Sequence, residues 1–496
     1  MNTSRREVTD VVVIGAGPNG LAAAVTMARA GLQVVVLESE ATAGGGARTQ
    51  ELGLAEGIVH DLCSAVHPLA LASPFLTHFD LAGRGVRLVS PELAYAHPLE
   101  DGSAGLAYTS LQRTATGLGG DGPAWRALFA PLLDHWRPLA QIALSDRSLA
   151  TAALVRRLGP GPVAAAGARL LTHSFDRSHP FAGDVAPALL TGVAGHAVGR
   201  LPSLVAAGTM LMLGTLAHGQ GWPIPIGGSA AITAALVADL YAHGGRVDTQ
   251  VHVSTWRQLP RARAYLVDTS VPMLLQIWGE QMPGQMRRAL GRVRPGGGAA
   301  KVDYVLSGPV PWRHPQVGQA ATVHVGGSRQ QMLRSAADTA AGRVAECPFV
   351  LFSDPTVADS SREVNGLRPG WAYVHLPYDC PLDPVAIVTG HIERFAPGFS
   401  DVVVAARGVP ADAMVAHNAN YLGGDIALGA LSAASMLQRP RWAANPYRTG
   451  IPGVYLCSAA STPGPGVHGM SGWWAARAAL ADRFGRTADV DLALSG

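Results

Sequence analysis

Residues 8–37 read VTDVVVIGAGPNGLAAAVTMARAGLQVVVL, and this stretch decides the fold. Val8 to Ile14 is a β-branched run of the kind that forms a parallel strand buried on both faces. Glycines follow at once, Leu21 to Ala30 has helical composition, Gly31 stops that helix, and Gln33 to Leu37 is a second strand. Strand, helix and strand within about 30 residues make a βαβ unit. Its first turn, Gly15-Ala16-Gly17-Pro18-Asn19-Gly20, is a G-x-G-x-x-G. Gly15 permits the tight turn, Gly17 lets the backbone approach a pyrophosphate, and Gly20 lets the helix pack closely on the strand. The helix N-terminus, with Pro18 and Asn19 in its first turn, offers N–H groups and a positive dipole end to phosphates. Glu38 ends the second strand 18 positions after Gly20, where a carboxylate can accept hydrogen bonds from a ribose diol. A bound dinucleotide is expected.

Outward from this unit, Gly44-Gly45-Gly46-Ala47-Arg48-Thr49 is a second glycine turn ending in arginine, suited to a second pass over the pyrophosphate. Near the other end, Val454 to Ala476 reads VYLCSAASTPGPGVHGMSGWWAA, a strand, a glycine- and proline-rich loop and a helix. Together these segments resemble the phytoene desaturase and flavin amine oxidase superfamily, most closely its bacterial phytoene-dehydrogenase-like branch. Pro225-Ile226-Gly227-Gly228-Ser229 resembles that superfamily's turn into its central helix, and Ala262 to Leu275 its return strand. The resemblance implies FAD as cofactor. It assigns Gly45, Gly46, Ala47 and Arg48 to the pyrophosphate, Val251 to a strand that pairs with adenine, and Ser458, Ala459, Gly466, Val467 and His468 to the flavin. Ser458-Ala459 stands where relatives often carry Gly-Glu, Gly-Asp or Gly-Ala, so a carboxylate contact there is lost.

The implied fold is α/β: a glutathione-reductase-like FAD-binding Rossmann domain interleaved with an α+β substrate domain made of a sheet plus helices. The expected FAD-binding parts are 1–110, 219–295 and 425–496. The expected substrate-domain parts are the helical 111–218 and the sheet 296–424. Pro123 to Leu144 has helical spacing broken at Pro131 and Pro138, Arg246 to Thr255 reads as a strand, and strands are expected at 300–306, 348–353 and 371–376. A helix begins near Ser328, and Asp383-Pro384 is an N-cap followed by a first-turn proline.

Length and composition agree. The chain has 496 residues, more than one core usually supports, and a formal net charge of +3, which leaves no field to draw nucleic acid. The four cysteines are far apart, without a C-x-x-C, so a disulfide framework and a metal site are not expected and a cytoplasmic location is the default. The N-terminal residues lack a signal peptide's long apolar region. Leu201 to Ala217 is apolar and uncharged, at the short limit for a membrane span. It reads as a buried helix or a substrate-tunnel wall, with peripheral membrane contact the lesser alternative.

Three residues are catalytic candidates. Of the 38 basic residues, 37 are arginine and one is lysine, Lys301, which opens a strand with Trp312 eleven positions on. Flavin amine oxidases carry a similar lysine that holds a water against flavin N5, and a lysine can desolvate and position a water as arginine cannot. The competing reading is one lysine placed by chance. His468 in the C-terminal loop either donates to flavin O2 or bonds a neighbouring backbone group. His67 is an acid–base candidate or a support for its loop. Asn418 to Asp425 reads as a cavity wall or as a turn. Gly469 stands where amine oxidases place a cage aromatic, which disfavours an amine. No second G-x-G-x-x-G follows a strand, so oxygen or a quinone is the expected electron acceptor. The expected chemistry is hydride removal from a C–H bond of an apolar small molecule to flavin N5. The alternatives are an amine oxidase releasing peroxide, an isomerase using reduced FAD, and a non-catalytic flavin-binding scaffold. The oligomeric state is not legible.

Overall fold

The computed structural model describes residues 8–146, 149–174, 180–486 and 489–494. The opening stretch forms the strand Val8–Ile14, the helix Pro18–Arg29 and the strand Val34–Leu37. These strands are the centre of a five-stranded sheet in the order Val454–Leu456, Arg261–Val267, Val8–Ile14, Val34–Leu37, Arg246–Asp248, every neighbouring pair parallel. Parallel strands need crossovers, and the long excursions between them carry the rest of the molecule. The helices Pro18–Arg29, Ala230–Ala242 and Met470–Ala479 contribute to the core on one face of this sheet. Val271–Trp278 contributes to the core on the other.

Close packing explains two glycines. A Cβ on Gly20 would fall inside the radius of Gly15 O, and one on Gly472 inside that of Asn19 O. The helices 18–29 and 470–479 therefore approach backbone to backbone, and this seats the C-terminal loop beside the first glycine turn.

The second sheet has seven strands, in the order 403–409, 298–306, 368–376, 350–353, 322–325, 93–98, 104–108. Its pairs are antiparallel except 322–325 with 93–98. The strands Leu93–Pro98 and Ala104–Tyr108 thus belong to this sheet, whereas the sequence places them in the first FAD-binding segment. Hydrophobic pattern alone does not say which sheet a strand joins. Helices 122–133, 185–194 and 204–219 form a third core against it. The helical part expected over 111–218 includes 147–148 and 175–179, which lie outside the described residues.

Two local expectations are corrected. The strand expected over 246–255 stops at Asp248, because its pairing partner Val34–Leu37 is itself only four residues long. Pro131 lies inside the helix Gly122–Leu133, and the break falls at 134–135, before the helix Trp136–Ala143 that carries Pro138 in its first turn. Among the described residues no helix is long and apolar enough to cross a membrane.

Candidate active site

A cavity of about 780 Å³ runs from the glycine turns to the helices of the second lobe. Gly15, Gly17, Pro18, Asn19, Glu38, Gly45, Gly46 and Arg48 wall one end. Ala459, Gly466, Val467 and His468 wall its middle side, and Val251 and His67 also reach it. Gly20, Ala47, Ser458 and Lys301 do not line it. Gly20 acts from behind by letting the first helix pack closely, and Ala47 is fully buried, its N–H donated to Gly44 O at 2.9 Å. Ser458 is fully buried, its Oγ accepting from Ala460 N at 3.1 Å.

The two glycine turns are laid against each other. Gly44 N–H donates to Ala16 O at 2.8 Å, and a Cβ on Gly45, at φ +53°, would sit 2.8 Å from Gly17 Cα. Both turns therefore address the same point of a ligand, and neither tolerates a side chain there. Arg48 is held by Glu40 at 2.9 Å, Gly45 O at 2.9 Å and His417 O at 2.8 Å. A guanidinium has five N–H donors, so two remain for an anion.

Asp268, which the sequence reading passes over, sits at the heart of the crevice. It follows the strand Arg261–Val267, accepts from Gly20 N–H at 2.8 Å and lines the cavity. The first helix therefore does not keep all of its amides for phosphate, a correction to the sequence reading. Burial, with the nearby Glu38 charge, raises the Asp268 carboxyl to about 7, against the opposing pull of the Gly20 and Gly17 amides. The weak signal for it was a lone acid ending a strand otherwise free of charge after its first three residues. Glu38 is buried and its Oε2 accepts from Ala16 N–H at 2.7 Å. Val251 differs from the reading more. It lies on no strand, and its N–H is already given to Glu38 O at 2.8 Å. An adenine edge would meet only its carbonyl.

The three catalytic candidates separate. Lys301 is 2% exposed, and its ammonium bonds both carboxylate oxygens of Asp303, at 2.6 and 2.7 Å. Residues two apart on a strand share a face, so the pair is set by local geometry. Trp312 packs on Phe352 in the core of the second sheet. His468 lines the cavity, yet both its nitrogens are taken by backbone: Nε2 faces Gly464 O at 3.2 Å and Nδ1 accepts from Met470 N–H at 3.0 Å. Burial lowers it to about 4, so it is a neutral loop strut.

His67 is different. Ser229 Oγ donates to Ser64 O, so it must accept the proton of His67 Nε2, 2.7 Å away. Nδ1 then carries a lone pair, and it has no protein partner. Burial holds this ring near 4 as well, despite Asp61 nearby. Asn418, Ala419, Asn420 and Tyr421 line the cavity, while Asp425 turns away to accept from Gly296 N–H at 2.7 Å.

The far end is apolar, walled by Leu204, Val205, Gly208, Met212 and Leu213 of the helix Leu204–Gly219. This is the uncharged stretch of the sequence, and it is a cavity wall. All four cysteines are free, and no cluster fit to hold a metal occurs among the described residues.

Known proteins agree with this architecture. Residues 13–79 match the NAD(P)-binding Rossmann-like domain family. Pyridine nucleotide-disulfide oxidoreductase domain-containing protein 2 of Rattus norvegicus is 24% identical over 563 aligned positions, covering 95% of this chain and 93% of the rat protein. Among solved structures, a putrescine oxidase triple mutant superposes with a TM-score of 0.61 at 16% identity, covering 97% of this chain and 99% of its own. Cyclohexylamine oxidase from Brevibacterium oxydans gives 0.53 at 16%, covering 96% and 100%. The fold is thus a Rossmann-like parallel sheet with a second sheet lobe, shared along the whole chain with these oxidases.

Proposed function

We propose that this protein is an FAD-dependent oxidoreductase that dehydrogenates an apolar small molecule. The observation that carries the reading is one continuous cavity joining a two-turn dinucleotide crevice to an apolar wall. The residues fit FAD: paired glycine turns without room for side chains, a buried Glu38, and the spare N–H groups of Arg48. When bound, FAD would accept a hydride at N5, and loss of a proton from the neighbouring atom would complete a C=C or C=N bond in the product. The chain's own work is to hold the dinucleotide, exclude water and orient the reacting C–H bond. Gly466, Val467 and His468 form the wall where the flavin ring would rest, and the His468 ring braces that loop through Gly464 and Met470. His67 lines the cavity and ties its loop to Ser229 through Nε2, its unpartnered Nδ1 being buried. Oxygen or a quinone would reoxidise the flavin, and four free cysteines accord with a cytoplasmic setting.

The phytoene-dehydrogenase-like branch remains a proposal resting on the glycine- and proline-rich C-terminal loop. Amine oxidation is the second reading, favoured by the fold likeness to putrescine oxidase. The test is purification, a visible spectrum, and anaerobic bleaching across a panel of alkenes, alcohols, ketones and amines with mass analysis of products. A colourless protein that takes up no FAD would overturn the proposal.

A further inference from the structure

The far end of the cavity contains a polar device among mainly apolar side chains, with Thr209 and Tyr373 also on the wall. His196, in the turn after the helix Val185–Ala194, lines the cavity beside Trp222 and Tyr373. Its Nε2 lies 2.8 Å from Nε2 of His324, a buried residue of the strand Thr322–Val325. One ring must donate and the other accept.

The direction follows from His324. Its Nδ1 is buried without a hydrogen-bond partner. A buried orphan N–H is rarer and more costly than an orphan lone pair, so Nδ1 carries the lone pair and Nε2 carries the proton. His324 therefore donates to His196 Nε2, and the proton of His196 sits on Nδ1, the ring's remaining polar atom. The rings cannot swap roles by turning freely. Gly192 leaves room for them only because it has no side chain: a Cβ there would meet His97 Nδ1 at 2.7 Å and His324 Cβ at 2.9 Å. Trp222 packs edge-on against both rings of the pair, centroids 5.3 and 5.7 Å away.

The surroundings carry no charge. The titratable groups packed about the pair are His97, His375 and Tyr95, with Tyr373 stacked on His375, and burial keeps the histidines neutral near pH 7. The acids on the cavity wall, Glu38, Glu40 and Asp268, all belong to the dinucleotide crevice.

We infer that His196 is a specificity-determining residue whose Nδ1–H receives an uncharged oxygen acceptor, a carbonyl or hydroxyl oxygen, on an otherwise apolar substrate. This rests on the oxidoreductase reading and names its substrate class. A protonated amine has only donors and meets no carboxylate here, so the site rejects it.

The test is equilibrium dialysis of the purified protein, as isolated with its flavin, against 2-octanone, octane and octylamine at pH 7. The ketone-to-octane affinity ratio should be about tenfold higher in the parent than in His196→Phe, the worth of one hydrogen bond once the ligands' own hydration cancels, and octylammonium should bind the parent more weakly than the ketone. His196→Phe should bind octane as the parent does and lose that tenfold ketone preference. Imidazole ¹⁵N NMR, with the His196 signal assigned by its loss in His196→Gln, should show the Nδ1–H tautomer. The inference is overturned if octylammonium binds as well as the ketone, if His196→Phe keeps the preference, or if His196 carries its proton on Nε2. Flavin content read on the same samples separates the two claims. Absence of flavin would remove the oxidoreductase reading, while the ligand ranking would stand or fall independently.

Discussion

Lys301 offers the sharpest trial of the site as built. Its ammonium is committed to Asp303 in a pair whose side chains are 2% and 1% exposed. Lys301→Ala leaves a buried carboxylate without its counter-ion, which costs about 3–5 kcal/mol. With a slope of about 3 kcal/mol per molar urea, the unfolding midpoint should fall by roughly 1–1.7 M. Replacing both partners by apolar residues, Lys301→Met with Asp303→Leu, removes the orphaned charge, and stability should return to within about 1 kcal/mol of the parent. The assay is urea unfolding followed by fluorescence, with anaerobic flavin reduction measured on the same samples. If the lysine is a structural partner, the double variant keeps both its midpoint and its reduction rate. A single variant with an unmoved midpoint and a double variant with abolished flavin reduction would refute this. That result would restore the lysine to the flavin, as the sequence resemblance implies.

Three further outcomes are expected. Asp268 has a folded-state carboxyl raised to about 7 from 3.8, so the native state holds its proton more tightly than the unfolded chain. Stability of the flavin-free protein should therefore fall as pH rises from about 4 to 7, by at most about 4 kcal/mol, and Asp268→Asn should flatten that slope in thermal scans. Gly20→Ala and Gly472→Ala each force a Cβ into a backbone carbonyl oxygen, so both should abolish flavin retention, read as lost visible absorbance, whereas Gly390→Ala, on the helix Pro384–Glu393 with open space around it, should retain the flavin. His468→Ala frees a backbone acceptor at Gly464 and a donor at Met470, so it should cost about 1–3 kcal/mol and loosen flavin binding, without shifting the pH profile of any activity.

Residues 8–50 were legible because their structure is local. A β-branched run, a glycine turn and a helix specify one another within a few residues, and the parallel pairing of Val11 with Val34 follows from the short crossover. The partner of Val8–Ile14 on its other side comes from Arg261–Val267, and its helical cover includes 470–479. Pattern marked a strand over 263–268 and a helix from about Ser471, but only the resemblance pointed to their place beside the first strand.

Two glycine turns beside a parallel strand, a near-zero net charge and an uncharged apolar helix can all be read from neighbouring residues of the chain. What each polar group does was set by packing. Lys301 looked catalytic until Asp303, two residues along the same strand face, was seen to take its ammonium. His468 looked reactive until both its nitrogens were found on backbone. His196 had no signal at all, because its partner lies 128 residues away and the acceptor state of its Nε2 is set by an orphan atom on that partner. A side chain's proton depends on which neighbours burial supplies, and those neighbours are chosen by long-range packing that no local pattern encodes.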